Sequence, residues 1–209
     1  VFSANDTQTG IKVWHSNGIT EETQIIPEIA PGIAYTRPQQ FTFAGNQMFF
    51  TLNNDTGQEL RSLQSFTHRI DSAGGELTSW LDHIAYQFPN GTFSTTVTVT
   101  HTLHNPAKLT TLGASIVKAF ELTTINSETG EPIHPQLPYS LTIEYTTEDL
   151  STVNELTMGL YYWKAQQWIQ EESSMIDLSH HRIIATPNHT ALWIVGSKVH
   201  HLFLPTIHN

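Results

Sequence analysis

Histidine is the commonest chemistry-bearing residue in this chain, with twelve copies. Metal binding needs several of them on one face. His101 and His104 lie three apart in the alternating run Thr95–His104 (TTVTVTHTLH), so a strand points them to opposite faces. His180-His181 and His200-His201 are adjacent pairs with the same defect. The spacing favours surface or hydrogen-bonded histidines, leaving only a site assembled across strands. Asn5-Asp6-Thr7 and Asn53-Asn54-Asp55-Thr56-Gly57 offer oxygen ligands but lack the alternating acids and distal Glu of an EF-hand. Turn chemistry accounts for both. Glycoside hydrolysis needs two carboxylates facing one cleft, roughly 5–10 Å apart. The neighbours Glu171-Glu172 and Glu148-Asp149 define no such cleft. No cysteine is present, so thiolate nucleophiles, thiolate metal sites and disulfides are excluded. No catalytic residue, metal ligand or cofactor is expected.

Aromatic side chains offer a different chemistry. Tyr161, Tyr162, Trp163 and Trp168 crowd one short segment. They read either as core or as a surface on which a sugar ring stacks. Alternation sets Tyr162 against Tyr161 and Trp163, so at least one ring faces out. Apolar residues flank both tryptophans, which favours core packing; in the binding reading Tyr162 or a neighbouring aromatic is the candidate ligand aromatic. Four sequons, at Asn5, Asn54, Asn90 and Asn188, are candidate glycan acceptors in a secreted protein.

The composition narrows the class. Charged residues are 13% of the chain, about half the usual share. Nine basic residues face nineteen acidic ones, for a net charge of −10. Without a Lys/Arg cluster, nucleic-acid binding is not expected. No apolar run reaches the roughly 18 residues of a spanning helix, so membrane insertion is not expected either. The chain opens Val-Phe-Ser-Ala rather than on Met, as a processed secreted chain would.

The elements that must position these residues are strands. Leu141, Ile143 and Tyr145 alternate with Thr142, Glu144 and Thr146. Leu156–Trp163 and Gln167–Gln170 flank a short connection, and Ala191–Val195 is a wholly apolar core strand. Ser115–Thr123 alternates, with Phe120 and Leu122 on one face. Phe41–Leu52 reads as a hairpin or a bulged strand about Gly45. Glu59–Ile70 has helix-like spacing at Leu60, Leu63 and Phe66 but leads into a Gly-Gly turn, and is assigned to strand. Met175–Leu178 and Arg182–Ala185 read as a hairpin. Only Glu148–Asn154 looks like a helical turn. The expected fold is all-β: an antiparallel β-sandwich with an N-terminal β extension and a C-terminal extra strand. The expected division is an extended arm over 1–40, added strands over 41–73, the sandwich over 74–196 and an apolar tail over 197–209.

Two pieces of sequence carry a family resemblance. Gly74-Gly75-Glu76-Leu77 followed by Tyr86–Phe93 (YQFPNGTF) resembles the opening of ZU5-type β-sandwich domains, although Asn90-Gly91-Thr92 departs from the usual Gly-Ala turn. The second piece has a Tyr-Thr strand, an acidic turn, Leu160-Tyr161-Tyr162-Trp163, a second tryptophan, and His189 before an apolar strand. It is similar to the C-terminal half of ZU5-like domains in large secreted proteins of filamentous, Chloroflexus-type bacteria. The resemblance spans about residues 74–196 and implies an extracellular sandwich. Some ZU5-type domains cleave themselves at His-Phe-Ser. The equivalent here is His189-Thr190-Ala191, where the aromatic is missing, so no self-cleavage is expected.

The functional expectation is a non-enzymatic, secreted structural protein of the cell surface, a subunit of a filament or sheath. Two apolar stretches lie outside the ZU5-like region: Thr20–Pro38 with Ile25, Ile26, Ile29 and Ile33, and Lys198–Ile207 with Val199, Leu202 and Leu204. Such strands can complete a neighbour's sheet, making the chain its own partner in a homopolymer. The alternative is a carbohydrate-binding or adhesive module with a glycan partner.

Overall fold

A computed structural model describes residues 1–5, 10–16, 20, 23–26, 37–44, 47–54, 57–109 and 115–197. The protein is all-β with antiparallel sheets, as expected. Contacts divide it into two units, Val1–Phe66 and Thr67–Asn209. The division thus falls at Phe66, ahead of the Gly-Gly turn where the sequence placed it.

The first unit holds two three-stranded sheets. One joins β1 (Phe2–Asn5), β2 (Ile11–His15) and β3 (Gln24–Ile25). The other joins β4 (Arg37–Ala44), β5 (Gln47–Asn54) and β6 (Gly57–Leu63). Phe41–Leu52 is therefore a hairpin, paired from Arg37↔Asn53 to Ala44↔Gln47. Pro38 lies on β4, an edge strand, where a missing N–H costs no ladder bond. Met48, Phe50 and Leu52 alternate inward on β5 and are buried. Val13 and Ile26 are also buried.

Two residues of the expected exchange arm are engaged within this unit. Ile25 pairs with Trp14, and the Ile26 amide donates to the Val13 carbonyl at 2.9 Å. Ile29, Ile33, Val199, Leu202 and Leu204 lie outside the described residues.

The second unit is the sandwich. Its strands are β7 (Ser65–Ile70), β8 (Gly75–Ser79), β9 (Ile84–Phe88), β10 (Val97–Leu103), β11 (Ile116–Asn126), β12 (Ser140–Glu144), β13 (Met158–Lys164), β14 (Gln167–Gln170), β15 (Met175–Asp177), β16 (Arg182–Ala185) and β17 (Leu192–Ser197). One sheet runs β14-β13-β17-β11-β10-β7, the other β15-β16-β12-β9-β8. The helix-like spacing at Leu60, Leu63 and Phe66 resolves into two strands, β6 and β7, interrupted at Gln64. Glu148–Asn154 carries a short 3-10 turn, Asp149–Thr152.

The period-2 pattern builds the core. On β10, Val97, Val99, His101 and Leu103 are all buried while the threonines between them are half-exposed. Leu141 and Ile143 do the same from β12, and Ile84, Tyr86 and Phe88 from β9. Each buried aliphatic or phenyl side chain contributes about 1.5–3 kcal/mol by leaving water. The turn joining β7 to β8 requires glycine at Gly74, where φ is +89° and a Cβ would strike the Phe88 carbonyl.

A buried polar chain crosses this core. The Tyr86 hydroxyl meets His101 Nδ1 at 2.7 Å, and His101 Nε2 meets Asp82 Oδ2 at 3.0 Å. Ser79 donates its hydroxyl to the other Asp82 oxygen. Tyr86 and Ser79 come from one sheet, His101 from the other, so the chain joins the two layers. All four residues are buried, and the His101 ring stacks 5.4 Å from Phe120. Burial, then the Asp82 charge, pushes the Tyr86 hydroxyl well above its ordinary pKa.

Candidate functional site

The aromatic cluster read from the sequence is one hairpin. Strands β13 and β14 pair from Tyr161↔Gln170 to Lys164↔Gln167 around a two-residue loop, Ala165-Gln166. Both loop residues are left-handed, with φ of 50° and 64°. A tight loop with two positive φ values matches the right-handed twist of its strands and usually takes Asn-Gly. Ala and Gln hold it here at a conformational cost. Directly opposite one another beneath this loop stand Trp163 and Trp168.

The hairpin separates its aromatics onto two faces. Tyr161, Trp163 and Trp168 lie on the outer face of the six-stranded sheet. Tyr161 and Trp168 are buried there beside Ala119 and Ile194, with Leu109, Ile116 and Leu192 packed around them. Gly159 makes room for this arrangement, because a Cβ there would sit 2.9 Å from the Tyr161 ring. Trp163 is 43% exposed, with its ring 5.0 Å from that of Trp168 in an edge-to-face contact. Apolar outer faces are unusual for a half-solvated antiparallel sheet. On this one the Trp163 ring reaches water.

Tyr162 points the other way, which corrects its assignment as the outward ligand aromatic. Its ring lies 4.3 Å from His189 and 5.7 Å from Trp193. Strict alternation puts Tyr162 on the core side once Trp163 faces out. Trp193, a fully buried residue, pairs with Tyr162 and shares its face.

His189 sits in the crossing from β16 to β17. Its ring stacks 5.1 Å from Trp193, and its Nε2 lies 3.8 Å from Glu171 Oε2, too far for a hydrogen bond. Glu171 is buried and accepts from the Ser173 hydroxyl at 2.6 Å and the Ser173 amide at 3.2 Å. Tyr139 fixes the crossing twice, donating its amide to the Pro187 carbonyl at 3.0 Å and its hydroxyl to the His189 carbonyl at 2.9 Å. Burial holds the imidazole below its ordinary pKa; Glu171 pulls it up and Lys164 pulls it down. Neither His189 Nε2 nor Trp193 Nε1 has a hydrogen-bond partner among the described residues. The His189 Nε2 atom is sealed from solvent, so this nitrogen is not presented to an incoming substrate.

The remaining sequence candidates are dispersed. His101 belongs to the core network, and His104 faces Glu121 at 3.3 Å. His180 contacts Asp177 at 2.8 Å and His181 contacts Glu155 at 2.9 Å. Hydrogen bonds, led by that of Ser179, hold the Asp177 carboxyl well below the usual carboxylate range. Among the described residues no group of three His, Asp or Glu side chains is placed to hold a metal. Glu171 is buried while Glu172 is exposed, and Asp149 is tied to Thr146 and lies 3.4 Å from Lys118.

Of the sequons, Asn5 ends β1, Asn90 lies in the turn after β9 and Asn188 lies before β17, all exposed. Asn54 ends β5 and pairs with Gly57, with Asp55 and Thr56 outside the described residues. Sequence reading missed the buried Ser79–Asp82–His101–Tyr86 chain. Its signal was a histidine occupying an inward position of the Val97–Leu103 alternation. No protein-family model matches this chain, and no curated protein sequence matches it.

Proposed function

We propose that the chain is a non-enzymatic, extracellular β-sandwich module that binds a polysaccharide through the outer face of its aromatic hairpin. The observation that carries this reading is Trp163, 43% exposed on a sheet face and braced by Trp168. An indole fixed at that angle presents a flat apolar surface to the C–H face of a sugar ring. The cross-strand Trp168 removes the rotational freedom that a lone surface tryptophan would lose on binding. The low charge of the chain suits a neutral, hydroxyl-rich ligand. A glycan array probed with the wild-type chain and with Trp163→Ala tests it. Signal that disappears in the variant supports the reading; signal that is unchanged refutes it.

A second reading is a filament subunit assembled by strand exchange. It is favoured by strands at the sheet margins, β8 and β15 in one sheet and β7 and β14 in the other. Ile25 and Ile26 already pair within their own unit, so the apolar stretch 198–207 is the better donor in this reading. It requires that deleting residues 198–209 turn filaments seen by negative-stain microscopy into dispersed subunits. Filaments that persist without that stretch rule it out as donor. The ZU5 kinship and the secreted location are part of the same proposal and rest on the sequence motifs.

A further inference from the structure

The opposite face of the sandwich carries an open groove of about 530 Å³ with a mixed polar and apolar lining, inside the roughly 300–1,000 Å³ range of small-molecule sites. Its floor is a single row of side chains running across the five-stranded sheet. Glu76 pairs with Gln87, Gln87 with Ser140, and Thr186 follows Ala185, the partner of Leu141. Pro89 and Pro138 contribute apolar walls, and Asn90 adds an amide at the rim.

The groove differs from the other polar clusters of the protein. Glu171 is bonded to Ser173, Asp177 to Ser179, His180 and Arg182, and Asp149 to Thr146. By contrast, the side chains of Glu76, Gln87, Asn90 and Ser140 make no hydrogen bond to any described residue. Four neighbouring donors and acceptors therefore keep their capacity for a ligand.

The row also sets a chemical class. It lies perpendicular to the strands, whereas an added peptide strand would run along the edge of β8. No basic residue lines it, which disfavours an anion. Adjacent strands are about 4.8 Å apart, so one polar group is presented per step of about one hexose residue. Over three steps the row spans roughly 14 Å.

We propose that this groove is a second saccharide subsite, taking three or so residues of a neutral glycan by hydrogen bonds from Glu76, Gln87, Ser140 and Thr186. Its ligand class rests on the glycan reading above, but its residues are separate from Trp163. With sites on the outer surfaces of both sheets, one chain links two polysaccharide strands.

Affinity gel electrophoresis of the full chain on a panel of neutral polysaccharides (mannan, dextran, xyloglucan and hydroxyethylcellulose) tests it with three variants. These are Trp163→Ala, the groove variant Gln87→Ala/Ser140→Ala, and the combination. Far-ultraviolet circular dichroism verifies that each is folded, and the groove positions are exposed or half-exposed. The expected result is residual retardation in Trp163→Ala, weakened about tenfold by the groove substitutions, as loss of two polar contacts would produce. Retardation abolished by Trp163→Ala alone overturns the groove and leaves the hairpin site standing. Retardation lost only with the groove variant supports the groove and refutes the hairpin site. Groove variants that migrate like their parents overturn this proposal, and a wild-type chain retarded on no gel overturns both sites.

Discussion

Replacing Asp82 by alanine tests whether the buried polar chain holds the two sheets together. Asp82 accepts from His101 Nε2 at 3.0 Å and from the Ser79 hydroxyl, in a site where His101 and Ser79 have no exposure and Asp82 has 8%. Removing the carboxylate strands two donors away from water. Each buried unsatisfied group costs about 1–3 kcal/mol, and truncating one partner of a buried pair costs about 3–5 kcal/mol. The expected loss is therefore about 3–5 kcal/mol, a large part of the 5–15 kcal/mol by which domains of this kind are usually stable. Urea unfolding followed by tryptophan fluorescence measures it. Trp80, Trp163, Trp168 and Trp193 all report from the second unit. Pairing Asp82→Ala with His101→Leu recovers part of the loss, because the stranded donor is then gone. A loss below about 1 kcal/mol, the worth of an exposed ion pair, would refute the account of the core.

Three further outcomes follow from local geometry. Gln166→Gly raises stability by about 0.5–1 kcal/mol, since glycine relieves the left-handed φ of 64° at the hairpin tip at some entropic cost; thermal unfolding checks it. Gly74→Ala costs about 2–3 kcal/mol by strain at φ +89° and by collision with the Phe88 carbonyl, read from the urea midpoint. His189 takes up its proton at lower pH in the folded chain than in the unfolded one. Its stabilising contribution is therefore whole above the unfolded value near pH 6.5 and declines as pH falls below it. Urea midpoints at pH 7.5 and 5.5 should separate more for the wild type than for His189→Gln.

Alternation made most of the fold legible. Val97–Leu103, Leu141–Ile143 and the apolar Ala191–Val195 segment each declare a strand without help from neighbours. The unit boundary was less visible, because Ser65–Ile70 leads smoothly into the Gly74-Gly75 turn and nothing local marks Phe66. Glu59–Ile70 is strand, as assigned, although its spacing imitates a helix: Leu60 is exposed, while Leu63 and Phe66 are buried on two different strands. At the hairpin, period 2 revealed that Tyr162 opposes Tyr161 and Trp163. It did not reveal which face was the core, because both faces of this sheet carry apolar residues. That choice depends on Trp193 and His189 packing against Tyr162, contacts made across strands. The groove row was invisible for the same reason: Glu76, Gln87 and Ser140 become neighbours only through pairing register.

The most direct test of the glycan-binding account is quantitative. Take the polysaccharide that gives the strongest array signal and titrate it against the wild-type chain, Trp163→Ala and Tyr162→Phe by isothermal calorimetry. The account predicts that Trp163→Ala weakens binding about tenfold or more, as loss of a stacking aromatic does. It predicts that Tyr162→Phe, altered on the core side, binds like the wild type. Equal affinity in the wild type and Trp163→Ala would contradict it.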